Sequence, residues 1–338
     1  MTLPTPPVRL GLIGAGRIGT FHGETVALRL PDAELVAVAD PAEGAAEKLT
    51  SRLGGVAYTD PAELLASPDV DGVLIASSAR FHTDLVVAAA AAGKAVWVEK
   101  PMAFTLEDAD RAIAAAREAG VPLQVGFNRR FAADFAAAHD VIVSGGIGTV
   151  QLLRSLTRDP GLSNPGGVPP WTIYRETLIH DFDALLWFAN GAKPVEVYAM
   201  ADALVAPDFK ANQLLDTSIV LIRFDNGAMA TAEANFSAAY GYDVRGEVFG
   251  SAGMVVAGEQ ASTPMRHYNA NGIQQMTARG DTILFRDAYT GELAHFVDCI
   301  RTGATPSVTG EDARAALVIA NAAIKSIEEN RPVKVSEV

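Results

Sequence analysis

A short β-type run, Val8–Ile13, leads straight into Gly14-Ala15-Gly16-Arg17-Ile18-Gly19, and a helical pattern follows at once. Strand, then G-x-G-x-x-G, then helix is the order that most constrains the fold of this chain. Gly14 permits the tight turn, Gly16 lets backbone approach a pyrophosphate, and Gly19 lets the helix sit close on the sheet. The start of the helix offers free amides and its positive dipole end to phosphates. Gly14, Gly16, Arg17, Ile18 and Gly19 are therefore the expected dinucleotide contacts.

The first third of the chain continues in that rhythm. Runs at 34–39, 72–76, 95–98 and 122–126 are almost continuously apolar, as parallel strands covered on both faces are. Helical patterns fall between them near 17–30, 42–53, 80–92 and 105–119, the last with Thr105 as its N-cap. The fold class that follows is α/β: a Rossmann doubly wound parallel sheet over residues 1–128. Asp40 ends the second strand about twenty residues past the fingerprint, where a carboxylate accepts from ribose hydroxyls and repels a 2′-phosphate. No basic residue follows it, so the expected cofactor is NAD rather than NADP. A turn or N-cap role for Asp40 is the structural alternative. Ser77 and Ser78, at the end of another strand, are small enough for the cofactor to pass. His82, just after them, either contacts the cofactor or caps a helix.

From about residue 129 the pattern changes to α+β. Strands at 218–224 and 228–236 flank Asp225-Asn226-Gly227, a hairpin signal. A helix near 172–189 precedes them, and two helices near 287–301 and 311–329 close the chain and could fold back on the first domain. Residues 129–338 thus read as a substrate-binding and oligomerisation domain on a large, mainly antiparallel open-faced sheet.

A net charge of −13 argues against nucleic acid or an anionic membrane as partner, and disfavours phosphorylated or carboxylate substrates. Residues 1–7 lack a basic segment followed by an apolar stretch, so no leader is read there. The lone Cys299 sits in a helical apolar pattern as a small core residue and fits a reduced, cytoplasmic compartment. No metal site is read.

Two positions stand out for chemistry. Glu99-Lys100-Pro101 follows the apolar run Ala95–Val98, so Lys100 lies at the carboxyl end of a core strand, where a nicotinamide would sit. Of six histidines, only His180 lies in a dense polar helical cluster, Glu176-Thr177-Leu178-Ile179-His180-Asp181-Phe182-Asp183. At a spacing of four, Glu176 and His180 share a helix face and can act as carboxylate and imidazole. A surface ion pair is the plainer alternative.

These motifs, with Gly126-Phe127-Asn128-Arg129-Arg130-Phe131, resemble the glucose–fructose oxidoreductase/inositol dehydrogenase/MocA family along nearly the whole chain. Thr157-Arg158-Asp159-Pro160 and Tyr240-Gly241-Tyr242-Asp243 are most similar to its NAD-dependent inositol 2-dehydrogenase branch. The resemblance implies Lys100 bridging substrate hydroxyl and cofactor, His180 as general base, and Glu99 in the cofactor site. It implies Asn128 and Arg129 lining the pocket, Asp159 on substrate hydroxyls, and Tyr240 or Tyr242 closing it. It further implies a polyol or sugar substrate and a homodimer or homotetramer. Glu176 stands where that family usually has aspartate, which opens the choice between inositol and another cyclitol or a pyranose sugar. The rival readings are a sugar oxidoreductase and, in another class, a non-catalytic NAD- and sugar-sensing co-regulator.

Overall fold

The structure, a computed structural model, describes residues 6–162, 164–258 and 261–338. Residues 1–5, on which the leader reading partly rests, lie outside the described residues. The chain divides into two compact units, one of Met1–Asn128 with Asp287–Arg314 and one of Arg129–Arg286 with Ala315–Val338.

The first unit begins with β1 (Val8–Ile13), α1 (Arg17–Arg29), β2 (Ala33–Ala39), α2 (Ala45–Leu53), β3 (Val56–Tyr58) and α3 (Pro61–Ala66). It continues with β4 (Gly72–Ile75), α4 (His82–Ala91), β5 (Ala95–Val98), α5 (Leu106–Ala119) and β6 (Leu123–Val125). The strands form one parallel sheet in the order β3-β2-β1-β4-β5-β6. Apolar runs became strands because both faces are covered: β4 and β5 are buried throughout. Thr105 does cap α5, accepting from the Asp108 amide at 3.1 Å, and Gly120 ends that helix in the left-handed region. The sequence pattern passes over β3 and α3. β3 is a three-residue edge strand with no buried residue, so it carries no apolar run. The start of α3 was signalled only by Asp60-Pro61, where the aspartate caps the Ala62 amide.

The second unit holds α6 (Ala133–Val143), β7 (Val150–Arg158), α7 (Leu178–Phe188), β8 (Pro194–Asp202), β9 (Thr217–Phe224), β10 (Met229–Asn235), β11 (Asp243–Gly250), β12 (Gly253–Ala257), the hairpin β13 (Ala261–Asn269) and β14 (Gly272–Thr277), and α8 (Asp281–Leu284). The chain ends with α9 (Arg286–Thr302), α10 (Gly310–Glu329) and β15 (Val333–Lys334). The large sheet runs β12-β11-β7-β10-β9-β8-β15 and is antiparallel except where β10 pairs parallel with β7. The Asp225-Asn226-Gly227 turn joins β9 to β10, and Gly227 takes a φ of 90°, which suits glycine.

One face of this sheet is covered. Ala230, Ala232 and Ala234 are buried on β10, and their small side chains let α7 lie close with Leu178, Phe182, Leu185 and Phe188 buried. Each such large apolar side chain contributes about 1.5–3 kcal/mol when fully buried. The other face is open within this unit. Met229, Leu152 and Phe249 face one another in register across β10, β7 and β11, and each is about half exposed.

A buried ion pair fastens α7 to β7. The Arg129 guanidinium donates to both oxygens of Asp181, and the Ser155 and Thr157 hydroxyls on β7 donate to the same carboxylate. Breaking a buried pair from one side strands the other charge. Asp181→Ala is expected to lower stability by about 3 kcal/mol or more in urea denaturation. A loss under about 1 kcal/mol would show that the guanidinium finds other partners.

Candidate active site

In the first unit the glycine turn explains itself sterically. Gly14 sits at φ 101°, and a Cβ there would stand 2.7 Å from the Ala76 carbonyl and the Ser77 amide. A Cβ on Gly19 would lie 1.9 Å from the Gly14 oxygen, so the helix could not approach the strand. A Cβ on Gly16 would meet nothing within 4 Å. That open space above the start of α1 is where a pyrophosphate can come against bare backbone. Arg17 and Ile18 follow as the first residues of α1, Arg17 exposed.

Beside the turn lies a cavity of about 450 Å³ whose lining includes Gly14, Gly16, Asp40, Ser77, Ser78 and Phe81. Asp40 does two things there. One oxygen accepts from the Ala15 amide at 2.6 Å and the other from the Ala42 amide at 2.8 Å. It therefore holds the glycine turn and makes a local turn of its own, while its carboxylate still lines the cavity. The lining fits a dinucleotide: open backbone at Gly16, a carboxylate acceptor at Asp40, and small side chains at Ser77 and Ser78.

Glu99, expected in the cofactor site, and His82, read as a cofactor contact or a helix cap, both have polar atoms within hydrogen-bond distance of other protein groups. His82 is buried, with Nδ1 at 2.8 Å from the Pro101 carbonyl and Nε2 at 3.1 Å from that of Ser77. Its ring lies between the loops that follow β4 and β5, within hydrogen-bond distance of a main-chain carbonyl from each. Glu99 also turns inward: its Oε1 lies 2.8 Å from His22 Nε2 and its Oε2 accepts from the Lys100 amide at 3.1 Å. Burial alone would raise this carboxyl. His22, Lys100 and His82 outweigh it and hold the group below the usual carboxylate range. Lys100 itself ends β5 partly exposed, and its peptide to Pro101 is cis. Asn128 is buried at the end of this unit's first segment.

In the second unit, residues Ile173–Thr177 form a π turn before α7 begins at Leu178. Glu176 is in that wider turn and His180 in the regular helix, so the simple i, i+4 face read from the sequence is bent between them. Both are partly exposed. Around His180 the helix is fixed from below. Arg129 and Arg130 clamp Asp181 and Asp183, and Arg130 also lies over the Trp187 ring at 5.6 Å. Arg129 is 2% exposed, and its guanidinium is committed to Asp181 and Thr157. Arg129, expected in the pocket lining, thus holds the helix that carries His180.

Asp159 lies just past the end of β7, its carbonyl accepting from Ala238. Of the two tyrosines, Tyr240 is 45% exposed and donates to Asp243, which Arg245 also grips. Tyr242 packs edge-on against Phe285 at 6.4 Å. Burial and then the Asp159 carboxylate push its phenol upward, with Asp281 and Asp181 adding to the effect. Tyr242, rather than Tyr240, thus shares its surroundings with Asp159. Asp281 was not singled out in the sequence, and neither was His22. For His22 the signal was present: it stands three residues after Gly19 on the face of α1 that the sheet covers. Among the described residues no group of three His, Cys, Asp or Glu could hold a metal ion. None of their helices is long and apolar enough to cross a membrane.

Comparison with known proteins agrees with this architecture. Residues 8–127 match the oxidoreductase-family NAD-binding Rossmann fold of the Gfo/Idh/MocA group, and residues 173–335 match that family's C-terminal alpha/beta domain. A myo-inositol 2-dehydrogenase of Thermotoga maritima is 38% identical over 98% of this chain and 99% of its own length. A scyllo-inositol 2-dehydrogenase (NAD(+)) of Bacillus subtilis is 34% identical over 97% and 96%. A crystal structure of scyllo-inositol dehydrogenase from Lactobacillus casei, with bound NAD(H) and scyllo-inositol, superposes with a TM-score of 0.93 at 26% identity, covering 98% of this chain and 99% of that one. The chain is an NAD-dependent oxidoreductase and belongs to the Gfo/Idh/MocA family.

Proposed function

We propose that the protein oxidises a secondary hydroxyl of a cyclitol, myo-inositol or a related inositol, to the ketone. The observation that carries this reading is likeness over nearly the full length of the chain to inositol 2-dehydrogenases, with Lys100 and His180 both present. NAD⁺, when bound, supplies the hydride acceptor. Lys100 donates to the reacting hydroxyl oxygen and offsets negative charge developing on it, a role that leaves the lysine charged throughout. His180 takes the hydroxyl proton as general base, worth roughly 10²–10⁴ in rate. Glu176 stands four residues before that imidazole in the chain and offers a further carboxylate to the substrate hydroxyls. Asp159, Tyr242 and Asn128 offer acceptors and donors to the remaining hydroxyls.

A second reading, oxidation of a pyranose sugar, is favoured by Glu176, one methylene longer than the aspartate usual in the resembled motif. A screen for NADH formation across inositols and glucose epimers decides between them. Formation of NADH with an inositol at the highest kcat/KM supports the first reading, and a pyranose ahead of every inositol supports the second. No turnover with any of these leaves a binding protein. In the same assay Lys100→Ala and His180→Ala are each expected to cut kcat by about a hundredfold or more while NAD still binds. Activity close to wild type in either removes that residue from its role.

The carboxylate of Asp40 is assigned the choice of NAD over NADP. Asp40→Ala is expected to raise the NADP to NAD ratio of kcat/KM about tenfold or more. An unchanged ratio would show that another group reads the ribose. The same substitution loosens the glycine turn, so kcat/KM for NAD itself also falls.

The open apolar face of the large sheet is proposed to pair with a second copy, giving a homodimer or homotetramer in a reduced, cytoplasmic compartment. Leu221 and Met229 are about half exposed on that face, and charged Arg154, Glu196, Arg223 and Glu247 line the same shallow depression. Exposed apolar patches of this kind mark association surfaces. Wild type is expected to run as an oligomer in light scattering, and Leu221→Asp with Met229→Glu as a smaller species. A wild-type monomer would overturn the assignment.

A further inference from the structure

Behind Lys100 the first unit buries a second carboxyl group that the proposed chemistry does not use. Glu292, on α9, is 0% exposed. Its backbone carbonyl accepts from Gln124 Nε2 at 2.8 Å, but neither carboxyl oxygen has a protein hydrogen-bond partner among the described residues. The same holds for His22 Nδ1, Trp97 Nε1 and Gln124 Oε1. These atoms belong to one cluster. The His22 ring meets Trp97 edge-on at 4.6 Å and Tyr289, one turn before Glu292, at 5.5 Å. Native cores satisfy nearly all buried polar groups, so a nest of this size at the end of a catalytic strand calls for a function.

We propose that Glu292, acting through Glu99 and His22, is a positioning residue for Lys100: the two carboxyl groups together hold one negative charge beneath the strand end, and that charge state sets the pH range in which the ammonium group works. The proposal rests on the catalytic reading of Lys100 given above.

The asymmetry of the pair follows from its partners. Glu99 has His22 on one oxygen and the Lys100 amide on the other, so it keeps the charge. Glu292 has no such donors. Burial, and then the charge on Glu99, raise it well above the ordinary carboxyl range, so it holds its proton. Two like charges buried side by side cannot both ionise cheaply. The groups facing the pair are His22 from α1, His82 from α4, Lys100 from the end of β5 and the uncharged Gln124 from β6, with Tyr289 on α9 itself. If Glu292 ionises at high pH, a second buried negative charge appears beside Glu99. On this proposal the alkaline limb of the wild-type profile differs from that of a variant with a neutral residue at 292, and lies on its alkaline side. Folding feels the same group with a definite sign. A carboxyl whose folded pKa is raised stabilises least at high pH, so wild type loses ground to a neutral isostere as pH rises above about 5.

The test compares wild type with Glu292→Gln and Glu292→Leu, measuring kcat and kcat/KM against pH with NAD and the best inositol, and Tm against pH. In Glu292→Gln the alkaline limb of kcat/KM is expected to move acidward by about half a pH unit or more, and its Tm advantage over wild type to widen from about pH 5 to pH 9. Glu292→Leu is expected to lose about tenfold in kcat with KM within about threefold, and Glu292→Gln to recover most of that loss. Superposable pH profiles for wild type and Glu292→Gln, or a Tm gap independent of pH, would overturn the proposal even if the leucine variant fails to fold. Lys100→Ala assayed in parallel separates the two claims. If it retains turnover, the catalytic reading of Lys100 has failed. If it is inactive and the Gln profile is unmoved, only the role of Glu292 has.

Discussion

The ionised carboxylate of Glu99 is the contact on which the end of β5 in the first unit depends. It is buried, yet it keeps its charge because His22 and the Lys100 amide bond it from two sides. His22 belongs to α1, the helix that opens at the glycine turn, and Lys100 to the end of β5. The one carboxylate therefore links the helix that follows the glycine turn to the end of β5. Removing one partner of such a pair leaves a buried charge uncompensated, which costs far more than the loss of a surface ion pair. His82 reinforces the arrangement from the other side by joining the loops after β4 and β5. The end of β5 is thus held by buried hydrogen bonds on both sides.

The second unit solves a similar problem with different means. Here the residue to be held is on a helix, and the helix starts in a π turn. Two arginines from one short segment each grip an aspartate on α7, and β7 adds the Ser155 and Thr157 hydroxyls. Small alanines on β10 allow the helix to settle close to the sheet. Lys100 and His180 are partly exposed, while Glu99, Arg129 and Asp181 are buried and hydrogen-bonded.

Much of this was legible in the sequence. The glycine turn, the parallel sheet, the Thr105 cap and the Asp-Asn-Gly hairpin each depend on local rules, and each appears where its residues put it. The failures are as physical. β3 was missed because an edge strand with half-exposed residues leaves no apolar run. The π turn was missed because a wider turn has no residue signature distinct from a helix start. The pairing of Arg129 was not readable either: its partners Ser155, Thr157 and Asp181 are 26, 28 and 52 residues away, a separation no motif encodes. Glu99, His82 and Glu292 show the same limit: only tertiary structure shows that they are buried and what they hold.

The central claim is that a hydride leaves an inositol carbon for NAD within this protein. Inositol deuterated at the reacting carbon, incubated with NAD⁺ and enzyme, tests it in one step by NMR of the nicotinamide. The account predicts deuterium at C4 of the reduced ring, on one face only, with one ketone formed per reduced nicotinamide. Reduced nicotinamide carrying no deuterium, or no reduced nicotinamide at all while the deuterated inositol is bound, would contradict it.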